Sequence, residues 1–152
     1  MNTEYIHTAV GAIGVIVNET NKVLLVLSKD RGWEPPMGFL EPGESPLLAL
    51  QREALEESGY RVHARRLTGV YHSVRDGMPI LSFCFLCGVE ELVGAPDDET
   101  LAVQWVAIDK LQDVITYQPH LLRVMDALKE GGVSFRDYQI QPFLITNSWA
   151  LS

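Results

Sequence analysis

Between Ser45 and Gly59 the chain carries its own start and stop signals for a helix, with three glutamates spaced to share one face of it. Ser45 can cap a helix N-terminus, and Pro46 suits the first helical turn. Gly59 suits the left-handed residue that closes a helix. Leu47, Leu50 and Ala54 recur at helical spacing and predict the face that meets the core. Glu53, Glu56 and Glu57 stand at i, i+3 and i+4, which brings their carboxylates together. Like charges so placed cost a helix roughly 0.2–0.5 kcal/mol per pair.

A fold can tolerate such a cluster in three ways. The acids can be solvated, paired with bases, or gathered around a cation. Arg52 is placed to neutralise Glu56 one turn on, but one arginine does not balance Glu44, Glu53, Glu56 and Glu57. Hard carboxylate oxygens suit Mg²⁺ or Mn²⁺. Taken alone, the Glu-x-x-Glu-Glu pattern is also that of a solvated acidic face.

The flanking segments predict a mixed architecture. Ala9–Val17 and Lys22–Leu27 read as strands around the turn Asn18–Asn21, and Gly38–Leu40 as a short strand after a loop from Asp30 to Pro36. Val62–Val74 and Pro79–Glu90 read as two long strands joined by an Arg75-Asp76-Gly77-Met78 hairpin turn. Glu91–Thr100 is an acidic loop, and Leu101–Ile108 a further strand. Asp109 is expected to cap a short helix through Val114, and Pro119 to open a last helix through Lys129, ended by Gly131-Gly132. Residues 133–152 are apolar enough to need cover, and are expected to pack back on the domain or to meet a second copy as a homodimer. The order of elements predicts an α+β fold, a mixed-sheet α/β/α sandwich in a single domain over 1–152.

Bulk properties narrow the function. At 152 residues, folding buries roughly 68–70% of the unfolded surface, enough for a sizeable core. The formal net charge of −8 disfavours nucleic acid polymers and anionic membranes as partners. It also repels a phosphorylated small molecule, so such a substrate would need a bound cation to supply local positive charge. Cys84 and Cys87 lie three apart in a strand-like run and so face opposite sides. They read as reduced structural thiols of a cytoplasmic protein. Met1–Tyr5 lacks the pattern of a signal peptide, and no apolar run reaches membrane-spanning length. His7, His63, His72 and His120 show no ligand spacing and are expected at surface or strand positions.

The whole segment from Gly38 to Tyr60 fits G-x5-E-x7-R-E-U-x-E-E-x-G-U, where U is apolar or aromatic: Gly38, Glu44, Arg52, Glu53, Ala54, Glu56, Glu57, Gly59 and Tyr60. At ordinary residue frequencies the seven fixed and two loose positions coincide by chance on the order of once in a billion starting points. This segment resembles the signature of the Nudix hydrolases, and the Trp33-Glu34-Pro35-Pro36 lead-in resembles that of small MutT-like members. Met37 departs from the pattern, since the family usually places a glycine there.

The resemblance implies hydrolysis of a phosphoanhydride bond with Mg²⁺ or Mn²⁺. It implies metal ligands at Gly38, through its carbonyl, and at Glu53, Glu56 and Glu57. Arg52 would orient the glutamates, and Glu44 would act as an outer ligand or hold Arg52. The general base would be one of these glutamates or an acid from the distant loop, Asp97, Asp98 or Glu99. Trp33 is a candidate for stacking on a base, Arg75 for contacting a phosphate, and Glu99 for touching substrate. Family cues for ADP-ribose and dinucleoside polyphosphates are missing, because Pro79 falls late and Tyr71 early; the coenzyme A and NADH motifs are absent too. Elimination leaves a nucleoside tri- or diphosphate, with ADP-ribose or another nucleotide sugar as the alternative. A nucleotide-binding regulator without turnover is the reading from another class.

Overall fold

The structure, a computed structural model, describes residues 3–152. Met1 and Asn2, and the expectation placed on them as part of the N-terminus, lie outside the described residues.

The strands in chain order are β1 (Ala9–Val17), β2 (Lys22–Ser28), β3 (Gly32–Glu34), β4 (Met37–Phe39), β5 (Tyr60–Arg75), β6 (Met78–Leu92), β7 (Ala102–Ala107), β8 (Val133–Gln139) and β9 (Leu144–Leu151). The helices are α1 (Pro46–Ser58), α2 (Leu111–Val114) and α3 (Gln118–Leu128). The strands form one mixed sheet in the order β3-β2-β1-β6-β5-β8-β9, with β4 paired to β1 and β7 to β2. β1 runs parallel to β6, and β5 parallel to β8.

Alternation along the central strands feeds two cores. Ile13 and Val15 of β1, Val23 and Leu25 of β2 and Cys84 of β6 face α2 and α3, with Leu111, Val124 and Ala127 on those helices. Ala12 and Ile16, Leu24, Phe85 and Cys87 face the other way, onto Ala49, Leu50 and Ala54 of α1. The sheet is therefore sandwiched between helices, an α+β fold with three layers. Cys84 and Cys87 are both free and buried, one in each core, as their spacing predicts. The β5–β6 hairpin turns on Asp76 and Gly77, both at positive φ (49° and 78°), the conformation of a two-residue primed turn.

Several expectations are corrected. The Asp30–Pro36 segment is not all loop, because Gly32–Glu34 pairs with β2. Leu47 is 46% exposed, and the buried face of α1 is completed by Ala49 and Ser58. Asp109 makes no cap; it sits inside a 3₁₀ turn, Ile108–Lys110, that leads into α2. His120 is not superficial but 2% exposed, because α3 turns it inward. The first of the two expectations for residues 133–152 holds: they pack back on the domain, as a β8–β9 hairpin that extends the sheet beyond β5. On it Phe135 meets Trp149 edge to face at 5.6 Å, while Ile140 and Phe143 pack on the α3-side core. Leu144, Ile145 and Trp149 stay exposed.

Candidate active site

The acidic helix is anchored at both ends. Ser45 accepts a hydrogen bond from the Leu48 N–H at 3.2 Å, and Gly59 closes the helix at φ 79°. A Cβ on Gly59 would fall 2.2 Å from the Gly94 carbonyl oxygen, so only glycine fits this junction. The same junction ties down the acidic loop. Val93 N–H donates to Gly59 O, and Asp97 N–H donates to Glu56 O at 2.7 Å. Asp97 Oδ1 then accepts from Thr100 N and Oγ1.

α1, β4 and this loop enclose a cleft of about 550 Å³. Gly38, Glu53, Glu56, Glu57, Asp97 and Glu99 line it together. Asp98 does not line it. The sequence missed Lys29, Asp30, Arg31 and Glu34, which close the cleft from the β2–β3 side. Their signal was weak: a short charged turn, and one glutamate inside the lead-in.

Arg52 organises the cluster. Its guanidinium grips Glu44 at 2.8 and 2.9 Å, Glu53 at 2.7 Å and the Phe39 carbonyl at 3.1 Å, and reaches Glu56 at 3.4 Å. Glu44 also accepts from the Glu41 N–H at 2.7 Å, so Arg52 fastens the Glu41–Glu44 turn to the helix. The Arg52 hydrogen bonds hold the Glu44 carboxyl down at about 2, and those from Glu44 hold the Arg52 guanidinium above its ordinary range. Arg52 and Glu44 stand behind the cleft rather than in it.

Glu53 and Glu57 are half-buried neighbours. Burial comes first in raising both carboxyls, and the charge of Glu53 adds to it at Glu57, so the pair retains a proton well above the usual carboxylate range. Glu57 Oε1 accepts from the Met37 N–H at 3.2 Å, a main-chain bond that a glycine there would also make; what the methionine adds is a side chain packed on the α3-side core. A Cβ on Gly38 would stand 2.1 Å from Glu53 Oε1, so any larger residue here displaces the Glu53 carboxylate. In this conformation no three acid or imidazole groups among the described residues converge on one point, since Arg52 draws Glu53 toward itself. The donor set still fits a hard divalent cation: carboxylate oxygens crowded into a partly desolvated cleft, carrying more negative charge than Arg52 offsets.

A second cavity, about 180 Å³, adjoins the cleft and shares Arg31, Met37 and Gly38 with it. Arg75 lines this second cavity rather than the acidic one. Trp33 lines neither; it packs against the α3-side core, so a stacking role finds no cavity beside it. A buried polar chain missed by the sequence reading runs along the wall. Arg31 bonds Glu34 at 2.8 and 3.2 Å, and Glu34 Oε2 lies 2.8 Å from His120 Nε2, close but misaligned for a straight hydrogen bond. Burial opposes ionisation of Glu34, yet His120 and Arg31 outweigh it and hold the carboxyl at about 2.

A family model described as the NUDIX domain matches residues 6–128. The chain belongs to the Nudix family. This Nudix protein is a MutT-like hydrolase acting on phosphoanhydride bonds, a class that generally uses divalent metal ions. It is 34% identical over 131 residues to a MutT-like protein of Streptomyces ambofaciens, covering 86% of this chain and 83% of that one. It is 32% identical over 123 residues to a Bacillus subtilis (strain 168) protein named as a candidate 8-oxo-dGTP diphosphatase, covering 80% of each. Its fold superposes on the crystal structure of a MutT protein from Bacillus halodurans with a TM-score of 0.77 at 20% identity, over 93% of this chain and 97% of that chain. Among the described residues no helix is long and apolar enough to cross a membrane.

Proposed function

We propose that this Nudix protein hydrolyses a nucleoside tri- or diphosphate at a phosphoanhydride bond, with Mg²⁺ or Mn²⁺ held by Glu53, Glu56, Glu57 and the Gly38 carbonyl. The observation that carries the reading is the pairing of the acidic cleft with a second, smaller cavity across the shared wall at Met37 and Gly38. A charged diphosphate belongs in the first and a base-sized group in the second. The second is well below the roughly 300–1,000 Å³ of pockets that take a whole drug-sized ligand. The similarity to the Bacillus subtilis relative supports the same substrate class.

A bound divalent cation supplies polarisation of a phosphoryl oxygen and a more acidic water. The chain's own groups do the rest. Arg52 fixes the rotamer of Glu53 and the turn that carries Glu44. The Met37 N–H holds Glu57. On this reading one of Glu53, Glu56 and Glu57, or a loop acid, Asp97 or Glu99, all lining the cleft, would take the proton from an attacking water.

A panel of nucleoside tri- and diphosphates, ADP-ribose and UDP-glucose, run with Mg²⁺ and read by released phosphate or pyrophosphate, tests this. Hydrolysis of nucleoside phosphates is expected. Cleavage of the sugar nucleotides alone would move the reading to the ADP-ribose class, and nucleotide binding without any turnover would remove the enzyme reading.

A further inference from the structure

β9 ends the sheet, and among the described residues its outer side pairs with no strand. All eight of its residues, Leu144–Leu151, are exposed. Leu144 stands at 54%, Trp149 at 50% and Leu151 at 53%. An unpaired strand presents a row of free N–H and C=O groups, and another strand is the partner that satisfies them in order. Protected edges are very short, or carry lysine, proline or inward charges. β9 has eight residues with no charged side chain and no proline, in a chain of net charge −8. Its irregularity lies toward β8, where Asn147 pairs with Asp137 and Ile145 with Tyr138, so Thr146 has no counterpart. From Asn147 to Leu151 the pairing is regular.

The occupant of this edge follows from length and charge. β3 and β4 also have an unpaired side, but each has only three residues. β7 has six, and all but Gln104 are wholly or partly buried. An acidic surface repels a copy of itself. β9 is a stretch where that repulsion has no local source. The charged groups behind it on β8 are engaged: Arg136 with Asp126 at 2.7 Å, and Asp137 with the Asn147 amide and with His72, both at 3.3 Å. A second copy of the chain brings an edge of the same length and the same neutrality.

We propose that the protein forms a homodimer by antiparallel pairing of β9 with β9 of a second copy, which joins two sheets into one. A two-fold axis through the sheet generates this arrangement, with every contact made twice. Eight residues span about 27 Å, and side chains make a sheet about 10 Å thick, so the contact is smaller than a standard interface of about 800 Å² per partner. The dimer is therefore reversible, and its population depends on concentration. The cleft draws on β2, β3 and β4, whereas β9 lies beyond β5 and β8 at the other end of the strand order. Each copy keeps its own cleft clear of the joint.

Sedimentation of the whole chain from about 1 μM to about 1 mM tests this. The average mass of wild type is expected to rise from one chain toward two. Asn147→Lys/Ala150→Lys puts a lysine on each face of the strand, and is expected to stay a single chain over the same range with Tm and kcat unchanged. The two lysines make the chain less negative, so general repulsion falls and the loss is traceable to the edge itself. Asn147→Lys alone serves if the double variant fails to fold. Asn147→Thr/Ala150→Val, which keeps the edge uncharged, is expected to associate as wild type does. Wild type that stays a single chain throughout, a folded lysine variant that associates as wild type does, or an uncharged variant that does not associate overturns the proposal.

Discussion

Gly38 and Glu53 approach so closely that the missing side chain of one makes room for the carboxylate of the other: a Cβ on Gly38 would lie 2.1 Å from Glu53 Oε1 and 2.2 Å from its carboxyl carbon. Gly38→Ala should push Glu53 off its place beside Arg52 without opening the core, since β4 lies at the rim of the sheet. Turnover should fall at least about a hundredfold, as displacement of a catalytic group by an ångström costs, while the urea midpoint moves little. A Gly38→Ala protein with near wild-type kcat/KM would show that the close approach has no catalytic consequence.

Glu57 is crowded by Glu53 and half-buried with it. Glu57→Gln should leave the metal-free protein as stable as wild type or more so, because it removes a carboxyl that folding must desolvate and protonate against its ordinary ionisation. The same substitution should lower turnover by orders of magnitude and shrink the rise in Tm that Mg²⁺ produces by binding the folded state. Thermal scans with and without Mg²⁺, alongside kinetics, check both halves. A full Mg²⁺-dependent rise in Tm in this variant would take Glu57 out of the metal site.

Burial drives the His120 imidazole down to about 4, and the Arg123 charge adds to this although Glu34 pulls the other way. Its ordinary value is about 6.5. Between those values the unfolded chain binds a proton that the folded chain refuses, so stability rises with pH across that window and is lost as pH falls from 6.5 to 4. Glu34, held at about 2 against 4.5, then loses its contribution as pH falls further, in the same direction. His120→Gln should flatten the stability profile between pH 4 and 6.5 relative to wild type. Urea unfolding at a series of pH values measures this, and parallel profiles would refute it.

Arg136 of β8 spans Asp126 of α3 with two 2.7 Å bonds, joining the C-terminal hairpin to the body of the fold. Asp126 is 4% exposed. Arg136→Met should leave that carboxylate buried without its main partner and cost about 3–5 kcal/mol. Adding Asp126→Asn should recover much of the loss, because the uncompensated charge is gone. Additive losses in the double variant would mean that the pair is not what couples the hairpin to α3.

The sequence was most informative where local signals and chemistry coincide. The α1 caps, the Asp76-Gly77 turn and the Ala9–Val17 strand each depend on near neighbours, and each stands as read. The acidic cleft was legible because its members are close in sequence, and Asp97 and Glu99 joined it through a backbone bond to Glu56 that nothing in their own composition announces. Errors came where tertiary packing decides. Leu47 has helical spacing but is left exposed, and Ala49 takes the buried place. Trp33 has the chemistry to stack but is spent on the core. Arg123 and His120 gave no signal, because an arginine and a histidine three apart on a helix are ordinarily solvated. Only the sheet beneath α3 turns them into cavity wall.

Cys84 and Cys87 lie on opposite faces of β6, fully shielded, with burial pushing their thiols up to about 11 and about 12. Only the thiolate reacts, so neither sulfur is available while the sheet keeps both helical layers in place. Each core thus contains its own chemical clock. The rate at which a thiol reagent labels the native protein reports how often each layer lifts from the sheet, and a difference between the two sulfurs would reveal which layer lets go first.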